Sequence, residues 1–164
     1  GHRDPPEQGA SSPCRRSDPA EASSPSTPDP HPQVVTLNVR RQTGRTFFIW
    51  EGVTQYLTPE AVRATLRQLG AAAPGSRLVF TYIRQDFIDG TQLYGADAVY
   101  RRFRERRQVW KSGLVPEEVG ELLADCGWRL VEQAGPSYFR DTYIRPAQRS
   151  VAASRIEWTV LAER

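Results

Sequence analysis

Between residues 46 and 83 the chain passes through an apolar strand, a capped helix and a second apolar strand, and few folds accept that order. "TFFIW", Thr46 to Trp50, is a short continuous apolar run rich in aromatics. Such a run predicts a parallel strand buried on both faces. "LTPEAVRATLRQLG" predicts a helix with defined ends. Thr58 suits the cap, Pro59 the first helical position and Glu60 the positive end of the dipole, while Gly70 closes the last turn. Val62, Leu66 and Leu69 fall on one face. After the turn "AAAPGS", the run "RLVFTYI", Arg77 to Ile83, predicts a second buried strand. Strand, helix, strand is a βαβ unit with a parallel sheet.

The rest of the chain extends this pattern. "ADAVYRRFRERRQVW" predicts a helix with Val99, Phe103 and Trp110 on one face. Its "RRFRERR" run reads as a solvated face with Glu105 interleaved, in preference to an RNA or phosphate patch. In "VPEEVGELLADCGWRLVEQ" a second capped helix is expected, with Val119, Leu122, Leu123 and Cys126 as its stripe and Gly127 at its end. Trp128 to Val131 begins a strand, "GPSYFRDTYIRPAQR" reads as a connection, and "SRIEWTVLAER" ends the chain as a strand paired antiparallel near a sheet edge. The expected fold class is α/β, a sheet flanked by helices with its last strand antiparallel.

Residues 1–45 differ in texture. Eight of the 13 prolines lie in residues 1–33, and no aliphatic side chain larger than Ala is available there to build a core. A disordered or linker-like segment is expected at 1–45, with "VVTLNV", Val34 to Val39, as a weak strand, and one α/β domain over 46–164. No apolar run approaches the ~20 residues of a membrane span, and the N-terminus lacks a secretory apolar region. A soluble, cytoplasmic protein without membrane partners is therefore expected. Cys14 and Cys126 are too few to act as a scaffold and read as inert thiols. His2 and His31 both lie in the polar segment, so the domain holds no histidine for catalysis or metal binding. The net charge is only +3, and the arginine enrichment is not read as nucleic-acid binding. With no Met in the chain, a processed, truncated or trimmed polypeptide is expected.

"FFIWEGVTQYL" carries the chemistry. Its apolar run stops at Glu51 and Gly52. Ligands of open parallel sheets bind beyond the carboxyl ends of the strands, which is where Glu51 falls. A carboxylate there accepts hydrogen bonds from a cationic amine or from hydroxyls, and Gly52 allows close approach. Glu51 equally fits a strand-ending charge that pairs with a local arginine or caps the next turn.

From about Thr46 onward the chain resembles the C-terminal half of a class I S-adenosylmethionine-dependent methyltransferase, and more narrowly the leucine carboxyl methyltransferase-like family. The residues that carry the likeness are "FFIWEGVTQYLTPEAVRATLRQL", "APGSRLVFTYI", "GLVPEEVGELLADCGWRLVEQAGP" and "YIRPAQR" with "IEWTVLAER". The resemblance implies a Rossmann-like sheet in which Thr46 to Trp50 is the fourth of seven strands. It also implies S-adenosylmethionine as cofactor, held by Glu51 and Gly52, with Tyr56 on the side of a small-molecule methyl acceptor. Tyr56 equally suits a packing staple before the helix. The implied reaction is methyl transfer to a carboxylate or hydroxyl oxygen by in-line displacement, with catalysis by positioning and desolvation. No general base is assigned, since a carboxylate acceptor needs none.

Two features of that family are missing from this sequence. No glycine-rich turn precedes Thr46, and no acidic residue ends a second strand to bind the ribose. Gln148 stands where a small residue is expected. The resemblance thus implies a chain holding the fourth to seventh strands only, with "TFFIW" as an apolar edge strand prone to association. Pairing with "VVTLNV", with a second copy or with a separate N-terminal half would cover that edge. Residues 1–45 would alternatively be an out-of-frame segment. Two other functions remain open on the residues, a non-catalytic remnant or partner-binding half-domain and an arginine-rich nucleic-acid binder.

Overall fold

The computed structural model describes residues 44–164. The strand expected at Val34 to Val39 lies outside the described residues, as does the segment before it. Four strands build one sheet: β1 (Phe47–Trp50), β2 (Arg77–Ile83), β3 (Arg129–Ala134) and β4 (Glu157–Glu163). Their order is β1-β2-β4-β3. β1 pairs parallel to β2, and β4 runs antiparallel to both β2 and β3. The last strand is therefore inserted one place in from the edge.

Helix α1 (Pro59–Leu69) connects β1 to β2. Its start follows from its side chains. The Thr58 hydroxyl accepts from the Ala61 N–H at 3.3 Å, and Pro59 occupies the first turn. Its end has a different cause from the one expected of a glycine. Gly70 has φ −64°, an ordinary helical value, but a Cβ there would collide with the Cys126 carbonyl. The glycine serves helix packing, not a left-handed turn. Helix α4 (Val119–Asp125), entered through a 3-10 turn at Pro116–Glu118, ends the other way. Gly127 has φ 81°, and the Trp128 N–H donates to the Leu123 carbonyl at 2.9 Å. This closure requires glycine.

α1 and α4 cover the same face of the sheet. Val62, Leu66, Val119 and Leu123 meet Leu78, Phe80 and Tyr82 of β2 and Val160 and Ala162 of β4 in one buried core. The Trp128 indole N–H donates to the Leu66 carbonyl at 2.9 Å and ties β3 to α1. Cys126 is buried in this core, and burial pushes its thiol above the usual range.

A smaller core sits beyond the carboxyl end of β2. Helices α2 (Gln85–Ile88) and α3 (Asp97–Tyr100) pack here with Trp110 and Ile156. The helix expected to reach Trp110 stops earlier. α3 continues as a π-helical turn over Arg101–Arg106, and Gln108 then adopts φ 50°. Trp110 returns from an extended segment to stack on Phe103 at 4.7 Å. A contact that looked like one helix face is made across a chain reversal.

The opposite face of the sheet corrects the expectation for β1. Phe47 and Ile49 alternate away from the core and are 57% and 70% exposed. β1 is thus buried on one face only, because no described element covers the other. Helix α5 (Pro136–Phe139), extended by a π turn at Arg140–Ile144, lies beside part of that second face, where Tyr138, Phe139 and Tyr143 line a small hollow with Thr159 and Leu161. The segment read as a connection is therefore partly helical.

Candidate functional site

The carboxyl ends of β1 and β2 meet in a loop built from Glu51 to Tyr56. β1 ends at Trp50, and Gly52 turns the chain with φ 67°. Side chains at that φ are strained, so glycine is needed for the backbone alone, and the space around it is open. Thr81 of β2 clamps the turn from both sides. Its hydroxyl accepts from the Gly52 N–H at 2.8 Å, and its carbonyl accepts from the Thr54 hydroxyl at 2.8 Å. Gln55 Nε2 donates to the Gly52 carbonyl at 3.1 Å. Thr54 and Gln55 are buried, so the loop is rigidly held while its tip faces outward.

Glu51 is exposed at that tip, and no described side chain forms a salt bridge with it. It lines a hollow of about 460 Å³ together with Thr81, Tyr143, Ser154, Glu157 and Thr159. The wall of this hollow contains two carboxylates and no cationic side chain. Its chemistry suits a ligand with positive charge and hydroxyl groups.

Tyr56 stands at the end of the same loop, in a 3-10 turn at Thr54–Tyr56. It is 40% exposed and meets the Trp110 ring edge-on at 6.5 Å. One edge of Tyr56 therefore packs, as a staple would, and the remainder faces solvent. The chain after Trp110 is sewn to this loop. The Lys111 N–H donates to the Gln55 carbonyl at 2.6 Å, and the Ser112 hydroxyl donates to the Leu57 carbonyl at 2.9 Å. Tyr56 does not line the hollow of Glu51. The two are on one loop but face different surroundings.

Three residues at the end of β2 carry electrostatics that the sequence reading missed. Arg84 grips Asp86 with two nitrogens, Nε to Oδ1 at 3.1 Å and Nη2 to Oδ2 at 2.7 Å. The Tyr94 hydroxyl donates to Asp86 Oδ2 at 2.6 Å. Hydrogen bonds from Arg84 hold the Asp86 carboxyl below its usual range, and the same bonds raise Arg84. Burial, then the bond to Asp86, pushes Tyr94 up. Arg84 also lies 5.6 Å from the Trp158 ring centroid. "RQDF" offers a charge pair two residues apart, but nothing local announces that Tyr94, at φ 54°, bends back to complete it. Gln148, the departure noted in the sequence, adopts φ 51°, a backbone state that favours glycine.

Parallel β1 and β2, the inserted antiparallel β4 and the flanking helices make a mixed α/β sheet of the Rossmann-like kind. No protein-family model matches the sequence, and no curated protein matches it. Solved structures do match the fold. The S-adenosylmethionine-dependent methyltransferase SibL, in its apo form, aligns with TM-score 0.50 at 17% identity, covering 81% of this chain and 34% of SibL. A SAM-dependent methyltransferase from Methanosarcina mazei aligns with TM-score 0.49 at 11% identity, covering 81% of this chain and 65% of the other. TnmH aligns with TM-score 0.49 at 16% identity, covering 74% of this chain and 31% of TnmH. The chain thus spans about a third of SibL and TnmH. Identities this low speak to fold alone. No helix among the described residues is long and apolar enough to cross a membrane.

Proposed function

We propose that this chain is a methyltransferase domain of the leucine carboxyl methyltransferase-like type. It binds S-adenosylmethionine and serves methyl transfer to a carboxylate or hydroxyl oxygen of a small molecule. The observation that carries the reading is Glu51, an exposed carboxylate without a described ion-pair partner, at the carboxyl end of a parallel strand. The residues present suit one end of the cofactor. Glu51 and Glu157 offer negative charge to a sulfonium or ammonium, and Ser154 and the threonines offer hydroxyl partners. When bound, the cofactor supplies an electrophilic methyl group. The chain's part is to bind and orient. Glu51 holds the cofactor, the Gly52 turn leaves room for it, and the Thr81 clamp keeps both in place. Tyr56 presents its exposed edge to the acceptor. For a carboxylate acceptor no side chain has to take a proton.

Calorimetry with S-adenosylmethionine tests this. Binding near micromolar Kd, lost in Glu51→Gln while the unfolding temperature stays unchanged, is the expected result. Absence of heat from the folded wild-type chain would sink it.

A second reading has its own observation. The exposed Phe47 and Ile49 favour a half-domain that completes its sheet against a second copy or another polypeptide, with or without catalysis. In that case cofactor binding appears only once the partner is present.

A further inference from the structure

The run "RRFRERR" is not one uniform face. Arg104 turns inward, where its Nε donates to the Ile88 carbonyl at 2.9 Å and its Nη1 to the Trp110 carbonyl at 2.6 Å. The other four arginines turn outward and converge. Arg101, Arg102, Arg106 and Arg107, with Ala98, line a hollow of about 510 Å³ whose wall holds no carboxylate. None of the four forms a salt bridge among the described residues.

The π turn creates this convergence. In a regular α-helix, residues five apart diverge by about 140° around the axis. Here the Arg107 N–H donates to the Arg102 carbonyl at 3.2 Å, a bond across five residues. The wider turn brings Arg101 toward Arg106, and Arg102 toward Arg107. Like charges set together repel, and π turns are rare and concentrate at functional sites. The left-handed Gln108 that follows is a further local strain. Four exposed guanidiniums on one wall concentrate positive charge, and their planar forks match phosphate oxygens in pairs.

We infer that this hollow binds a small anion carrying two or three linked phosphate groups. Its shape and surroundings favour that ligand over a nucleic acid. Single-stranded nucleic acid needs a long groove with aromatic platforms. Phe103, the aromatic of the run, is stacked on Trp110 at 4.7 Å and has the Arg102 guanidinium 5.2 Å from its centroid. The inference is independent of the methyltransferase reading.

Calorimetric titration of the full chain with sodium tripolyphosphate at low salt reads it directly. Tripolyphosphate is expected to bind at least roughly tenfold more tightly than inorganic phosphate, and to weaken as salt rises. The pair Arg102→Gln and Arg106→Gln should cost roughly tenfold or more in affinity, and Arg→Lys at both positions less. Both side chains are exposed, so circular dichroism should show an intact fold. Arg101→Gln with Arg107→Gln repeats the test from the other side of the hollow. Arg149→Gln, outside the hollow, should leave the affinity unchanged. No heat at low salt, or undiminished binding in both glutamine pairs, overturns the inference. A single-stranded oligonucleotide that binds more tightly than tripolyphosphate overturns it as well, and makes the patch a nucleic-acid surface.

Discussion

At the scale of single residues, backbone and charge demands set the loop beyond β1. Gly52 has φ 67° with open space around it, so Gly52→Ala strains the backbone without a steric clash. A loss of about 1 kcal/mol is expected, read as a fall of a few degrees in the unfolding temperature. Asp86 offers a prediction in pH. Its carboxyl is held low by Arg84, so its contribution to stability is present above the ordinary value of about 3.9. That contribution is lost as pH falls through the still lower folded value. Below about pH 4 the wild type should therefore lose stability more steeply than Asp86→Asn, measured by thermal melts across that range. Parallel curves would remove Asp86 from the acid response.

The elements show which signals are local. The cap of α1 is readable from "TPE" because the hydroxyl and the N–H it serves lie three residues apart. Thr58→Ala should cost about 1 kcal/mol in chemical denaturation, with the slope unchanged. The stripe of α4 was equally readable, and all four of its residues are buried. The helix after Ala96 is shorter than its apolar spacing predicts. Its apolar spacing continues to Trp110, but a π turn intervenes, and Trp110 reaches Phe103 by tertiary contact. Periodicity cannot distinguish those two routes to one neighbour.

For the whole molecule, the sheet is covered unevenly. α1 and α4 bury one face, while β1 presents Phe47 and Ile49 on the other. No described strand pairs with its outer edge. On the half-domain reading the chain should associate with concentration in sedimentation velocity, and Ile49→Lys should shift it toward monomer without loss of helix signal. A wild type that stays monomeric up to high concentration would count against association through this edge.

The sequence by itself determined the strand-helix-strand order, the Thr58 cap of α1, the Gly127 end of α4, the apolar stripes of both helices and the position of Glu51 after a strand. Each of these rests on neighbours within one turn or one strand, so residue order is enough. The antiparallel direction of the last strand was also legible from its alternation, but its insertion between β2 and β3 was not. The Thr81 clamp on Gly52, the closing of Tyr94 on Asp86, the bareness of one face of β1 and the gathering of four arginines on a π turn were decided in three dimensions. The first two join residues eight to 29 positions apart, the third depends on what does not cover a surface, and the last on a π turn that a 3.6-residue period does not foretell.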